Sequence, residues 1–378
     1  MSNFCPLPFG HAVISTSGNF GICCNHYPPG DQMVNINQHS YDVWSKSSYL
    51  KEVQDNFVQG LRHPGCNSCW EKENSGSQSQ RQQLLNEYKI LKVTETTPTE
   101  YPVNIEIQLG NLCNLKCLMC DETASSAILQ ENQQLNINLS TQKDYHWSDQ
   151  AFKNLNLLLS TKPKIINIRG GEPFYNKNLL KLITDLSDRE LCSNTMLHVT
   201  TNATVINSQW IAVLEKFRLV RLMVSVDATE DLYEYIRFPA KWSNVTKNIK
   251  LLQTHKNFNV ILHAVVQNLN IGRIGKLIQW STQQNLHLNL DLLTGPKYLV
   301  ITNLPTDLKQ QAITHIEDIL NNNCPENLIL LLQNCHTQLT QSLTKEFDKD
   351  SWDNFQNKIS MRDLVRKNSH RDFLKYQD

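Results

Sequence analysis

Three cysteines stand close together in the run Gly110-Asn-Leu-Cys113-Asn-Leu-Lys-Cys117-Leu-Met-Cys120, with C-x3-C-x2-C spacing. Soft thiolates favour zinc or iron–sulfur clusters. A structural zinc ion requires four protein ligands, and no histidine or fourth cysteine lies close to this triplet in the sequence. A cubic iron–sulfur cluster held by three thiolates leaves one iron open to a small molecule. The spacing therefore favours a redox centre over a zinc knuckle.

A second motif, Arg169-Gly170-Gly171-Glu172-Pro173, follows about fifty residues later. Its glycines allow the backbone to approach a ligand closely. The carboxylate of Glu172 is a suitable acceptor for an ammonium group. Taken alone, the motif is also compatible with a simple strand-to-helix turn.

A second group of cysteines occupies the first seventy residues. It comprises Cys5, the adjacent pair Cys23 and Cys24, and the C-x2-C pair Cys66 and Cys69. Gly18-Asn19, between two short apolar runs, predicts a hairpin that brings Cys23 near Cys5. Four thiolates suffice for a complete metal site, and zinc is a serious alternative here because C-x2-C pairs are common zinc ligands.

The bulk composition indicates an intracellular enzyme. The chain has 378 residues, with 36 basic and 36 acidic side chains, so no general field attracts nucleic acid or an anionic membrane. The first residues lack the pattern of a signal peptide, and no apolar stretch is long enough to span a bilayer. Eleven cysteines that cluster in such a chain suggest metal binding, and we expect a cytoplasmic location.

Alternating strands and helices are predicted for the middle of the chain. The predicted strands are 101–109, 164–168, 196–200, 220–224, 258–266 and 286–292. Repeated strand–helix units imply a parallel sheet with right-handed crossovers, and six of them suit a partial (β/α)6 barrel of the TIM type. Each polar or glycine-rich motif follows a strand, so these motifs should meet at the carboxyl edge of the barrel.

Four units are predicted along the chain. They are a metal-binding unit at 1–82, a linker at 83–100, the barrel at 101–300 and a helical appendage at 301–378, where apolar residues recur at helical intervals over 306–320 and 326–344. The appendage could cover the barrel mouth or mediate association.

The cysteine triplet and the Gly-Gly-Glu-Pro run resemble the motifs of the radical S-adenosylmethionine (SAM) superfamily. The resemblance implies that Cys113, Cys117 and Cys120 hold a 4Fe–4S cluster whose open iron takes the amino and carboxylate groups of SAM. It implies that Gly170, Gly171 and Glu172 receive the SAM amino group, and it gives further SAM contacts at four positions, namely Asn202, Ser225, Asp227 and Arg237. Asn202 and Asp227 are equally compatible with loop capping.

The amino-terminal cysteines resemble the auxiliary-cluster motif of SPASM and twitch domains, here placed before the barrel. This resemblance implies a second 4Fe–4S cluster on Cys5, Cys23, Cys66 and Cys69, with Cys23 and Cys24 not distinguished. A full set of four thiolates favours electron transfer over direct substrate binding.

The function implied by the resemblance is reductive cleavage of SAM to a 5′-deoxyadenosyl radical, followed by hydrogen abstraction from a substrate. A peptide or protein side chain is the leading substrate, and a small sugar, nucleotide or amino acid is the alternative. An electron donor such as flavodoxin or ferredoxin is an expected partner, and Asp291, late on the last strand, is a candidate proton acceptor. A rival of a different class is a non-catalytic metal-binding scaffold.

Overall fold

The computed structural model describes residues 3–74, 78–90, 99–137, 145–322 and 324–374. One mostly parallel sheet of eight strands forms the centre of the α/β fold. The strands are β1 (His11–Ile14), β2 (Phe20–Gly21), β3 (Asn104–Gln108), β4 (Ile165–Arg169), β5 (Met196–Thr201), β6 (Leu219–Ser225), β7 (Phe258–Val266) and β8 (His287–Leu292). Their order in the sheet is β2-β1-β3-β4-β5-β6-β7-β8. All six predicted strands are present.

Fifteen α-helices accompany these strands in the described part of the chain. They are α1 (Leu7–Gly10), α2 (Tyr41–Ser45), α3 (Ser48–Val58), α4 (Asn67–Asn74), α5 (Gln80–Ile90), α6 (Ser126–Gln134), α7 (Asp149–Leu159), α8 (Lys177–Asp188), α9 (Ser208–Leu214), α10 (Glu230–Ile236), α11 (Trp242–Gln253), α12 (Ile274–Gln283), α13 (Thr306–Asn321), α14 (Glu326–Leu343) and α15 (Lys349–Arg366). Within the described ranges, no helix combines the length and apolarity that crossing a membrane requires.

The strands of the sheet alternate between two environments. On β5 and β6 every second side chain is buried against the helices, while the others are half-buried on the opposite face. This alternation follows from the two-residue period of a strand. The carboxyl ends of β3 to β8 all lie at one edge, because these strands are parallel. The loops after these strands therefore share that edge.

The amino-terminal cysteine region is joined by backbone pairing to strands β3 to β8, which occupy the predicted barrel segment. β1 pairs in parallel with β3, and β2 pairs antiparallel with β1 through the hairpin that the sequence predicts. Gly18 in this hairpin has a φ of +86°, a conformation that favours glycine. The predicted units 1–82 and 101–300 therefore share one continuous sheet.

The predicted linker, 83–100, begins within α5, where Tyr88 is fully buried. Residues 91–98 of that linker lie outside the described residues. Beyond the barrel, α13, α14 and α15 make residues 306–366 mainly helical.

Candidate functional site

The C-x3-C-x2-C triplet lies in the loop between β3 and α6. The Cys120 thiol donates a hydrogen bond to the sulfur of Cys117, which lowers the pKa of Cys117. That hydrogen bond and burial raise the pKa of Cys120. Burial and the adjacent Cys117 raise the pKa of Cys113 to about 12. The three sulfurs therefore interact with one another, as ligands of one metal centre must.

The two glycines of the second motif pack directly against the cysteine loop. Gly170 and Gly171 have φ values of +91° and +53°. A Cβ atom on Gly170 would lie 2.8 Å from the backbone nitrogen of Leu109, and one on Gly171 would lie 2.4 Å from the carbonyl oxygen of Leu112. The backbone N–H of Glu172 donates to that same Leu112 oxygen at 2.8 Å. Glycine is required at both positions because a side chain would separate the two loops.

Glu172 is buried, and its carboxylate is occupied by donors of the protein itself. One oxygen accepts from the Thr201 hydroxyl at 2.6 Å and from the Phe174 backbone N–H at 3.1 Å. The other oxygen accepts from the Asn202 backbone N–H at 2.6 Å. Burial raises the pKa of Glu172 to about 7, although these hydrogen bonds act in the opposite direction. The carboxylate therefore joins the loop after β4 to the end of β5, and its expected contact with an ammonium group stays a prediction.

Asn202 connects the end of β5 to the cysteine loop. Its side-chain amide donates to the side-chain oxygen of Asn114 at 3.0 Å, and Asn114 donates in turn to the Thr204 hydroxyl at 2.9 Å. The Asn202 side-chain oxygen accepts from the Thr204 backbone N–H at 2.9 Å. These contacts match the loop-capping alternative for Asn202.

Arg237 and Asp227 form a buried pair beside the cysteine loop. The Nε atom of Arg237 lies 2.8 Å from Oδ2 of Asp227, and the guanidinium also donates to the sulfur of Cys117 at 3.8 Å. The other Asp227 oxygen accepts from the Val265 backbone N–H at 2.9 Å. Burial lowers the pKa of Arg237, but Asp227 and Cys117 more than compensate and raise it. Asp227 therefore fixes a cation against one thiolate of the triplet.

Ser225 and Asp291 lie at the same edge, on different strands. Ser225 ends β6 and stands beside His263 of β7. Asp291 of β8 accepts a hydrogen bond from Nε2 of His263 at 2.8 Å, and its side chain is 73% exposed. This hydrogen bond lowers the pKa of Asp291. A lowered pKa weakens a carboxylate as a proton acceptor, so the geometry does not strengthen that prediction.

The half-buried face of the sheet carries charged side chains. Glu106 of β3 forms an ion pair with Arg169 of β4 and accepts from the Gln108 amide at 3.2 Å. Asn167 accepts from Nδ1 of His198 at 2.9 Å if the imidazole carries its proton there. In the sequence, Arg169 is visible only as the first residue before the Gly-Gly-Glu-Pro run, and no local pattern predicts its pairing with Glu106.

The four amino-terminal cysteines assigned to the second cluster line one small cavity. Cys5 precedes α1, Cys23 follows β2, Cys66 directly precedes α4, and Cys69 lies in the first turn of α4. Cys24 does not line this cavity, and its sulfur contacts the side chain of Gln80 instead. Burial raises the pKa values of Cys23 and Cys66 to about 12. Such thiols become thiolates when a metal binds them, so the donor set fits a four-thiolate cluster.

Two histidines beside this cavity were missed by the sequence analysis. Nδ1 of His26 lies 3.3 Å from the sulfur of Cys66, and its ring stacks on that of His63 with centroids 5.0 Å apart. His26, His63 and Cys66 could also hold a metal ion together. A signal exists in the spacing, because each histidine stands three residues from a cysteine, His26 after Cys23 and His63 before Cys66.

Fold and site together define an α/β protein with two groups of cysteines suited to metal clusters. The family model described as Radical SAM superfamily matches residues 107–281, from the end of β3 to α12. The matched segment is therefore similar to the radical SAM superfamily, whose members use a 4Fe–4S cluster and SAM.

The individual relatives are distant. An uncharacterized protein of Methanocaldococcus jannaschii is 24% identical over 204 residues, which cover 49% of this chain and 43% of that protein. Among solved structures, anSMEcpe with bound AdoMet matches with a TM-score of 0.42 and 16% identity, over 58% of this chain and 60% of that chain. Streptococcus suis SuiB bound to precursor peptide SuiA matches with a TM-score of 0.41 and 15% identity, over 70% of this chain and 62% of that one. The chain therefore spans less than two thirds of the length of each.

Proposed function

We propose that this protein is a radical SAM enzyme with two 4Fe–4S clusters, acting on a peptide or protein side chain. One observation carries the proposal: three interacting thiols lie in a loop that packs against Gly170 and Gly171 and contacts Arg237. Three thiolates leave one iron of a cubic cluster without a protein ligand. That position is where the resemblance places SAM.

Residues at the carboxyl edge of the sheet hold this centre in place. Cys113, Cys117 and Cys120 would hold the first cluster. Arg237, fixed by Asp227, donates to the Cys117 sulfur and offsets part of the negative charge of a thiolate cluster. When bound, the cluster and SAM supply reductive cleavage of the sulfonium and a 5′-deoxyadenosyl radical for hydrogen abstraction.

The second cluster would sit on Cys5, Cys23, Cys66 and Cys69. Their common cavity supports this assignment, and it favours Cys23 over Cys24 as the fourth ligand. Because four thiolates complete the coordination of a cubic cluster, electron transfer is the proposed role. A flavodoxin or ferredoxin is the proposed electron donor for the enzyme.

The proposed peptide substrate rests on the resemblance of the amino-terminal motif to SPASM and twitch domains. The half-buried face of the sheet offers both signs of charge in the Glu106–Arg169 pair, which suits backbone and side-chain polar groups of a peptide. A small sugar, nucleotide or amino acid is the alternative, and the same test distinguishes the two.

The test is release of 5′-deoxyadenosine from SAM by anaerobically reconstituted, dithionite-reduced protein, measured by liquid chromatography and mass spectrometry. We expect release by the wild type and none by Cys117→Ala. The matched control is Cys192→Ala, which removes a buried thiol outside both cysteine groups and should keep the activity. No release despite a full iron load would overturn the proposal in favour of a metal-binding scaffold.

Substrate class is read from the same assay. Stimulation of 5′-deoxyadenosine release by a peptide library, with a change in the mass of one peptide, is the expected result. Stimulation only by small molecules would overturn the peptide assignment and leave the radical chemistry standing.

A further inference from the structure

The cavity of the second cysteine group has a histidine in contact with one of its sulfurs. We propose that His26, positioned by Tyr49, donates a hydrogen bond to the sulfur of Cys66 and raises the reduction potential of the second cluster. This inference rests on the proposed function, since it requires that a cluster occupy these four cysteines. His26 is a positioning residue in this role, because it acts on the cluster through a ligand.

The direction of the hydrogen bond follows from which of the interacting atoms carries a proton. Nδ1 of His26 lies 3.3 Å from the Cys66 sulfur, and Nε2 lies 2.7 Å from the hydroxyl oxygen of Tyr49. A metal-bound thiolate has no proton, so Nδ1 must be the donor. A neutral imidazole carries one N–H, so Nε2 accepts from the O–H of Tyr49. Each of the two contacts thus has one donor and one acceptor.

The surroundings of His26 keep the ring neutral and fixed. It is buried, with 2% of its surface exposed, and no carboxylate in the described ranges forms an ion pair with it. The ring of His63 stacks on it at an interplanar angle of 25°, and the ring of Tyr49 meets it edge-on. The two rings in contact with the imidazole therefore restrict its rotation.

Gly65 explains how the ring comes so close to the cysteine. A Cβ atom on Gly65 would lie 2.3 Å from Nε2 of His26, well inside van der Waals contact. The residue directly before Cys66 therefore has to be glycine for the imidazole to reach the thiolate. The backbone N–H of Gly65 donates to Nδ1 of His63 at 3.1 Å, which holds the second ring in the stack.

A hydrogen bond to a cluster sulfur stabilises the reduced form, which carries more negative charge than the oxidised form. We expect its loss to shift the equilibrium for reduction about tenfold toward the oxidised cluster. For a one-electron couple, that factor corresponds to about 59 mV in the negative direction.

The experiment uses the full chain with Cys113, Cys117 and Cys120 all replaced by Ala, so that only the second cluster is loaded. Redox titration followed by electron paramagnetic resonance (EPR) then gives the potential of that cluster alone. His26→Phe should lower the reduction potential by about 59 mV. Tyr49→Phe should lower it less, because the imidazole donor remains but is less well oriented. His26→Gln, which keeps an N–H donor, should recover part of the loss. His39→Phe, at an exposed histidine, is the matched control and should leave the potential unchanged.

Two readouts separate failure of this inference from failure of the proposed function. If the triple variant binds zinc or no iron, the second cluster itself is refuted, and this inference falls with it. If four irons bind and His26→Phe leaves the potential unchanged, only the role of His26 is refuted.

Pulsed EPR with 15N-histidine gives an independent test if His26→Phe fails to take up iron. A weak nitrogen coupling in the otherwise unchanged triple variant is expected for a hydrogen-bonded imidazole. Absence of any coupling would overturn the inference, and so would the strong coupling of a directly ligated nitrogen.

Discussion

Cys23 and Cys24 are adjacent in the sequence, and only Cys23 lines the cavity with the other three thiols. Sequence reasoning could not separate them, because their spacing to Gly18 differs by only one residue. The structure separates them through β2, whose end directs Cys23 toward Cys5 and Cys66, while Cys24 contacts Gln80.

Iron analysis tests this difference between the two neighbours. Reconstituted wild-type protein and Cys24→Ala should each hold about eight irons, whereas Cys23→Ala should hold fewer and change the EPR signal of the second cluster, because one of its irons loses its protein ligand. The measurement is iron and sulfide content per chain with the EPR spectrum of the reduced sample. A loss of iron in Cys24→Ala with full loading in Cys23→Ala would reverse the assignment.

The residues at the carboxyl edge of the sheet show that a sequence can predict where side chains lie without predicting their partners. Glu172, Asn202 and Asp227 lie at one edge of the sheet, because parallel strands place their following loops together, and Arg237 reaches that edge through its ion pair with Asp227. Sequence motifs do not give the partners of these side chains. Glu172 accepts from three protein donors and Asp227 holds Arg237, and both arrangements depend on pairs of loops that lie far apart in the chain.

At the scale of the elements, α15 is the helix that the sequence predicted least well. Its apolar residues form no continuous stripe, because the buried face is apolar at Trp352, Phe355 and Ile359 and then becomes charged at Arg362 and Arg366. Both arginines contact the carboxylate of Glu131 on α6, the helix that follows the cysteine loop. The periodicity of apolar residues predicts apolar helix faces, but it does not reveal a helix face that buries charged side chains.

Glu131 is the buried carboxylate that both arginines contact, and its removal should be costly. Although burial raises it, the pKa of Glu131 is lowered by Arg366, whose Nη2 lies 2.7 Å away, and by Arg362. Glu131→Gln leaves two buried guanidinium groups without a counter-charge, so the free energy of unfolding should fall by about 3 kcal/mol. Because the folded pKa lies below the ordinary value, the stabilisation is present above about pH 4.5 and is lost at lower pH.

Urea unfolding of wild type and Glu131→Gln between pH 4 and pH 8 measures both effects. Asp185→Asn breaks the exposed Asp185–Arg189 pair and is the matched control, with an expected cost below about 1 kcal/mol. An equal cost for the two variants would show that α15 does not depend on the buried charges.

At the scale of the whole molecule, the sequence predicts separate amino-terminal and barrel units, whereas in the structure both units contribute strands to one continuous sheet. The pairing of β1 with β3 joins residues about ninety positions apart, and no local pattern encodes such a pairing. Side chains reinforce it: Trp147 donates through its indole N–H to the carbonyl oxygen of Thr16 at 3.0 Å, and the Asn154 amide donates to that of Ile36 at 2.8 Å. The α/β class and the strand order within the barrel were predictable, because alternating patterns carry that information locally.

We therefore expect the amino-terminal unit and the barrel to open together. Hydrogen exchange followed by mass spectrometry, on protein with both clusters loaded and at increasing denaturant concentrations, measures the opening free energy of each segment. Peptides covering β1 and β3 should give the same opening free energy and the same dependence on denaturant, because opening of either strand breaks the hydrogen bonds that it shares with the other. Earlier exchange of β1, at a denaturant concentration that leaves β3 protected, would show that the shared sheet is not a cooperative connection. In that case the boundary between the two units, as the sequence placed it, would describe the energetics better than the strand pairing does.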